Sequence, residues 1–147
     1  MAKKKVKKDR VPVAPTCSCL LLCEDVVVSH GTDKHMLQGV IGQITVPSLP
    51  TTLGGFVVYI RLSNVHAKQT VKVRFEHADS GEVLWELVAE VINQLDPLQV
   101  HTLIARVNAA KIEQAGRYIL SANYDGLPVA QTPVLVHNLG KIAGAEP

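Results

Sequence analysis

The residues of this chain best suited to chemistry are three cysteines within seven positions, Cys17-Ser18-Cys19 and then Cys23. Thiolates bind zinc, but a structural zinc site needs about four ligands converging tetrahedrally. Here a fourth ligand would have to be His30 or His35, returned over the cysteines by strand pairing. No Cys-x-x-Cys spacing is present. An odd number of cysteines is not a disulfide framework. Cys17 and Cys19 stand two apart, where a strand does not supply the torsion an S–S bond requires. All three odd-numbered thiols share one face of a regular strand. They are read as reduced, half-buried groups of a first strand, with a metal site at Cys17, Cys19 and Cys23 as an alternative.

The other reactive residue types form no constellation. The six histidines are His30, His35, His66, His77, His101 and His137. His77 continues the apolar parity of Val71, Val73 and Phe75, which makes it a hydrogen-bonded structural histidine at a strand end. Ser29-His30 lacks the glycines of a nucleophile elbow. Asp33, Asp79, Asp96 and Asp125 lie in turns, where Asp serves the backbone. Gly39-Val40-Ile41-Gly42 and Gly54-Gly55 lack a P-loop lysine and a dinucleotide fingerprint. No catalytic residue and no cofactor is expected.

The one strong electrostatic signal is the run Lys3, Lys4, Lys5, Lys7, Lys8. With Arg10 and a single Asp9, residues 1–10 carry +5; the whole chain carries +2, so the remainder carries −3. Such a run is read as a disordered tail able to neutralise about five phosphates, or to act only as a solubiliser. Aromatic residues are 4% of the chain, which argues against base-stacking platforms. No apolar stretch approaches the roughly 20 residues of a membrane span. The apolar run after the basic start is short and broken by Pro12 and Pro15, unlike a secretory leader. A cytoplasmic protein is expected.

The elements that position these residues read as β throughout. A chain of 147 residues is a prior for one domain, and 47% hydrophobic residues suffice for a core. Residues 1–16 read as a basic tail and Pro linker, 17–138 as the domain and 139–147 as a flexible tail. Apolar, β-branched runs occupy 18–28 and 36–46, the latter as a strand with a bulge. Residues 47–55 read as a loop. On 56–62, Phe56, Val58, Ile60 and Leu62 alternate with a mixed face of Val57, Tyr59 and Arg61. The clearest strand is 70–77, where Lys72 and Arg74 face outward. After the Asp79-Ser80-Gly81 turn, Val83, Trp85, Leu87, Ala89 and Val91 share the inner parity. Lys72 and Arg74 then meet glutamates across this hairpin. Leu98, Val100, Thr102 and Ile104 share a face of the next strand, and a helical turn is expected within 108–114. Tyr118, Leu120, Ala122 and Tyr124 line one face of a strand that enters a type I′ turn at Asp125-Gly126. Pro128 and Pro133 make the final strand an edge or a bulged strand.

The fold class predicted is all-β: a two-sheet antiparallel sandwich of seven to eight strands, immunoglobulin- or fibronectin-III-like. Gly116-Arg117-Tyr118 resembles the tyrosine corner of immunoglobulin-like domains, whose phenol caps a backbone group. The Cys19–Val28 strand, the Gly39–Ile44 segment, the Pro-containing loop, and Gly116-x-Tyr118 followed by Tyr124-Asp125-Gly126 resemble a family of small bacterial proteins classed as a domain of unknown function. That resemblance spans residues 18–137. It implies a bacterial cytosolic β-domain, with no activity to carry over.

The function expected is a non-enzymatic protein-interaction or assembly module that binds a protein partner or a second copy of itself. Val57 and Tyr59, with Leu84 and Val88, are the candidate contact patch. Tyr118, Asp125, Gly126 and Trp85 are structural. The alternatives are a nucleic-acid-associated protein acting through its lysine tail and a metal protein acting through its cysteines.

Overall fold

A computed structural model describes residues 13–32, 34–93 and 96–140. Among these residues it contains eleven strands: β1 (Thr16–Val28), β2 (His35–Val40), β3 (Gln43–Val46), β4 (Thr51–Leu53), β5 (Phe56–Ser63), β6 (Ala67–His77), β7 (Val83–Asn93), β8 (His101–Val107), β9 (Ala110–Ile112), β10 (Gly116–Tyr124) and β11 (Leu127–Asn138). They form a four-stranded sheet in the order β2-β1-β5-β8, a five-stranded sheet in the order β3-β11-β10-β6-β7, and the small pair β4-β9. The chain is all-β and sandwich-like, with more strands than the seven to eight expected.

Alternation dictates the core. Val58, Ile60 and Leu62 of β5 meet Val71, Val73 and Phe75 of β6, with Leu120 and Ala122 of β10 beside them. Fully burying a Val, Leu or Ile contributes roughly 1.5–3 kcal/mol, so these faces must be shared between sheets. Phe56 of one sheet and Phe75 of the other make an edge-to-face contact at 6.4 Å. The Thr132 hydroxyl donates to the Leu20 carbonyl at 2.6 Å, linking β11 to β1.

Three local readings are corrected. Residues 36–46 are two strands, not one bulged strand. β2 pairs with β1 in the first sheet, and β3 runs parallel to β11 in the second. The crossing falls at Ile41 and Gly42, whose backbone groups bond to Leu22 and Leu135. The large sheet is therefore mixed rather than antiparallel. The 47–55 connection contains β4, and 108–114 holds its partner β9 instead of a helical turn. On β8 the inward residues are Leu103, Ala105 and Val107, so Leu98, Val100 and Ile104 are exposed.

The closing hairpin follows its sequence. Asp125 and Gly126 have φ of 53° and 81°, the left-handed pair that a type I′ turn requires. β11 is bulged where Ala130 pairs with Ala122 and Pro128 with Asn123. Among the described residues no strand pairs with its other side until Leu135 meets β3. Both accommodate the missing proline N–H groups.

Candidate functional site

The cysteines do not form one face. A bulge between Cys17 and Cys19 shifts their partners on β5 from Leu62 to Arg61. Cys17 consequently packs toward the core. Its thiol donates to the Cys19 carbonyl at 3.4 Å. All three are free thiols. Burial raises the pKa of each above its ordinary 9.0, which keeps them protonated near neutral pH. Among the described residues no three His, Cys, Asp or Glu side chains are grouped to hold a metal ion.

Val57 and Tyr59 are not a surface patch: they are 0% and 3% exposed. β5 is a central strand, and its outer face is roofed. The Tyr59 hydroxyl and His35 Nδ1 are hydrogen-bonded at 2.7 Å. Arg106 of β8 is the register neighbour of Val57, and its guanidinium reaches Asp25 of β1 at 3.0 Å. The bridge therefore spans β5 above Val57. Leu84 is also withdrawn, packed against the core. A bulge opposite Phe75 and Glu76 shifts the β7 register and leaves Val83 exposed instead. Of the four patch residues only Val88 is open, at 57%. The Lys3, Lys4, Lys5, Lys7 and Lys8 tail lies outside the described residues.

The residues read as structural are placed as follows. Tyr118 is fully buried and its hydroxyl donates at 2.6 Å to the Gln114 carbonyl, four residues upstream. Burial, followed by the charge of Glu82, raises the Tyr118 pKa above 10.0. His77 stacks edge-on against Tyr118 at 4.8 Å. Its Nδ1 accepts from the Ser80 backbone N–H at 3.1 Å, and its Nε2 faces the Ala115 carbonyl at 3.3 Å. These partners assign the Nε2–H tautomer. Trp85 pairs with Phe75 at the core margin.

The feature that sequence reasoning missed lies on the outer face of the five-stranded sheet. A groove of ≈ 700 Å³ runs over β6, with β7 on one side and β10 and β11 on the other. Its lining includes Lys68, Lys72, Arg74, Glu76 and Val88. Register explains its electrostatics. Arg74 faces Glu86 and donates from Nε at 2.6 Å. Lys68 reaches Glu90 at 3.3 Å. Lys72, however, is flanked by Val88 on β7 and Asn123 on β10. It has no ion-pair partner among the described residues, contrary to the expected glutamate contact. Beside it, the Asn123 side-chain amide donates to the Ser121 hydroxyl at 3.2 Å. Ser121 is itself buried on the groove floor, opposite Arg74. The signal available in the sequence was the spacing of Lys72 against the glutamates. It could be read only once the β6–β7 register was known.

No described helix is long and apolar enough to cross a membrane. Residues 18–137 match a family described as "Family of unknown function (DUF6941)". This is the span on which the strand and Gly116-x-Tyr118 motifs carried their resemblance. No curated protein matches the chain.

Proposed function

The chain belongs to that family of unknown function, and on this premise we propose that it is a non-enzymatic protein-interaction module. Its contact surface is the outer face of the five-stranded sheet. The observation that carries this reading is the ≈ 700 Å³ groove over β6, holding Lys72, which has no ion-pair partner among the described residues, with the exposed Val88 at its side. A concave surface mixing apolar contact with a few oriented polar groups has the form of a recognition site. The same reading counts the fold with immunoglobulin-like sandwiches, on the strength of the Tyr118–Gln114 corner bond.

A photo-crosslinking residue at Val88 or at Asn123, introduced into the full chain in its native host, tests the reading. One discrete protein adduct common to both positions is expected. Met36, exposed on the other sheet, is the control. Absence of an adduct, or an equal adduct from Met36, overturns the assignment. An adduct of the chain with itself identifies the partner as a second copy.

A further inference from the structure

Resting on the interaction reading, we propose that the groove over β6 binds an extended acidic peptide segment of a partner protein, with one of its carboxylates seated on Lys72. Three observations converge. First, Lys72 is half-buried and lacks an anionic partner among the described residues, while the cations on either side, Lys68 and Arg74, are already bridged to Glu90 and Glu86. A partly desolvated cation is stabilised by any carboxylate that reaches it. Second, the groups beside Lys72 suit that carboxylate. Asn123 supplies an amide, and Ser121 a hydroxyl. Third, the groove is elongated. β6 runs beneath it from Lys68 to Glu76, roughly 26 Å at the rise of an extended strand. That matches about eight residues of extended peptide and exceeds the reach of a compact anion.

Charge order constrains the segment. Lys72 and Arg74 lie between two acidic residues of the lining, Glu76 toward one end and Asp125 toward the other. Val88, 57% exposed beside Lys72, offers apolar contact to a residue two positions from the carboxylate, on the same side of an extended segment. The occupant is therefore acidic at its centre, carries an apolar residue two positions away, and avoids carboxylates over Glu76 and Asp125.

The test is titration of the isotope-labelled full chain with the octapeptide Ser-Val-Ser-Glu-Ser-Val-Ser-Ser, followed by amide shifts. Parallel arms use the peptide with Gln in place of Glu, inorganic phosphate, and citrate. The acidic peptide is expected to shift Lys72, Val88 and Asn123 saturably. The Gln peptide is expected to bind about tenfold more weakly or worse, consistent with loss of one charged contact. Lys72→Gln removes the cation, and Asn123→Asp neutralises it from within without truncating a side chain. Both are expected to lose binding while keeping a dispersed spectrum. Equal affinity for the Gln peptide, indifference to both variants, or shifts outside the groove overturn the proposal. So does phosphate or citrate bound at Lys72 as tightly as the peptide, which makes the site one for small anions. Crosslinks retained at Val88 and Asn123 without acidic-peptide binding leave the interaction module standing and reject the acidic class alone.

Discussion

Arg106 and Asp25 meet at 3.0 Å across β5, and at the scale of single residues this pair is expected to limit access to what lies beneath. Cys23 is the register neighbour of Val57, and both are wholly buried. In the folded protein Cys23 is expected to resist iodoacetamide, and Arg106→Ala is expected to speed its labelling; mass spectrometry of the alkylated peptide reads both. The backbone N–H of Val26, and then Arg106, hold the Asp25 carboxyl below its ordinary 3.8. A depressed carboxylate pKa stabilises the fold above the unfolded value, and that contribution is lost as pH falls through the folded one. Asp25→Asn is therefore expected to flatten the acid limb of thermal stability below about pH 4, measured by melting at a series of pH values. Tyr118→Phe removes the donor to Gln114. A loss of about 1–2 kcal/mol in urea denaturation is expected, with the ring packing against Phe75 and His77 retained.

Bulges decide the outcome at the scale of elements. Alternation along β6 correctly assigned Val71, Val73, Phe75 and His77 inward, because an uninterrupted period of two leaves no choice. It failed on β7 at Val83 and Leu84, and on β1 at Cys17, where an extra residue changes the parity. On β8 alternation left the inward face open. His101–Val107 carries apolar residues of both parities, so only its pairing with β5 selected Leu103 and Ala105 for the core. The hairpin at 125–126 rests on backbone conformation. Gly126→Ala places a Cβ at φ of 81° and is expected to cost about 1–2 kcal/mol. Comparison of urea midpoints for the two chains checks this.

The whole molecule differs from a simple sandwich in having one sheet buried locally on both faces. Phe56, Val58, Ile60 and Leu62 face the other sheet, while Val57 and Tyr59 are covered on the outside. Val57→Asp is accordingly expected to cost on the order of 4 kcal/mol or more, as an unpaired buried charge. Val88→Asp, at an exposed position, is expected to stay within about 0.5 kcal/mol. Paired denaturation curves distinguish a covered Val57 from the surface patch first expected. The open face thus belongs to the five-stranded sheet, where Lys72 lies in the groove.

By itself the sequence determined the all-β class, the inner faces of β5, β6 and β10, the turn at Asp125-Gly126 and the inward face of Tyr118. Each follows from local periodicity or from a backbone conformation that few residues tolerate. Tertiary structure alone decided that residues 36–46 divide between two sheets, that Val57 and Tyr59 are roofed, and that Lys72 stands opposite Val88 rather than a glutamate. Those outcomes depend on which strands become neighbours and in what register. Pairing between distant segments is chosen by the global burial of side chains, and a slip of one residue exchanges every inward side chain for an outward one.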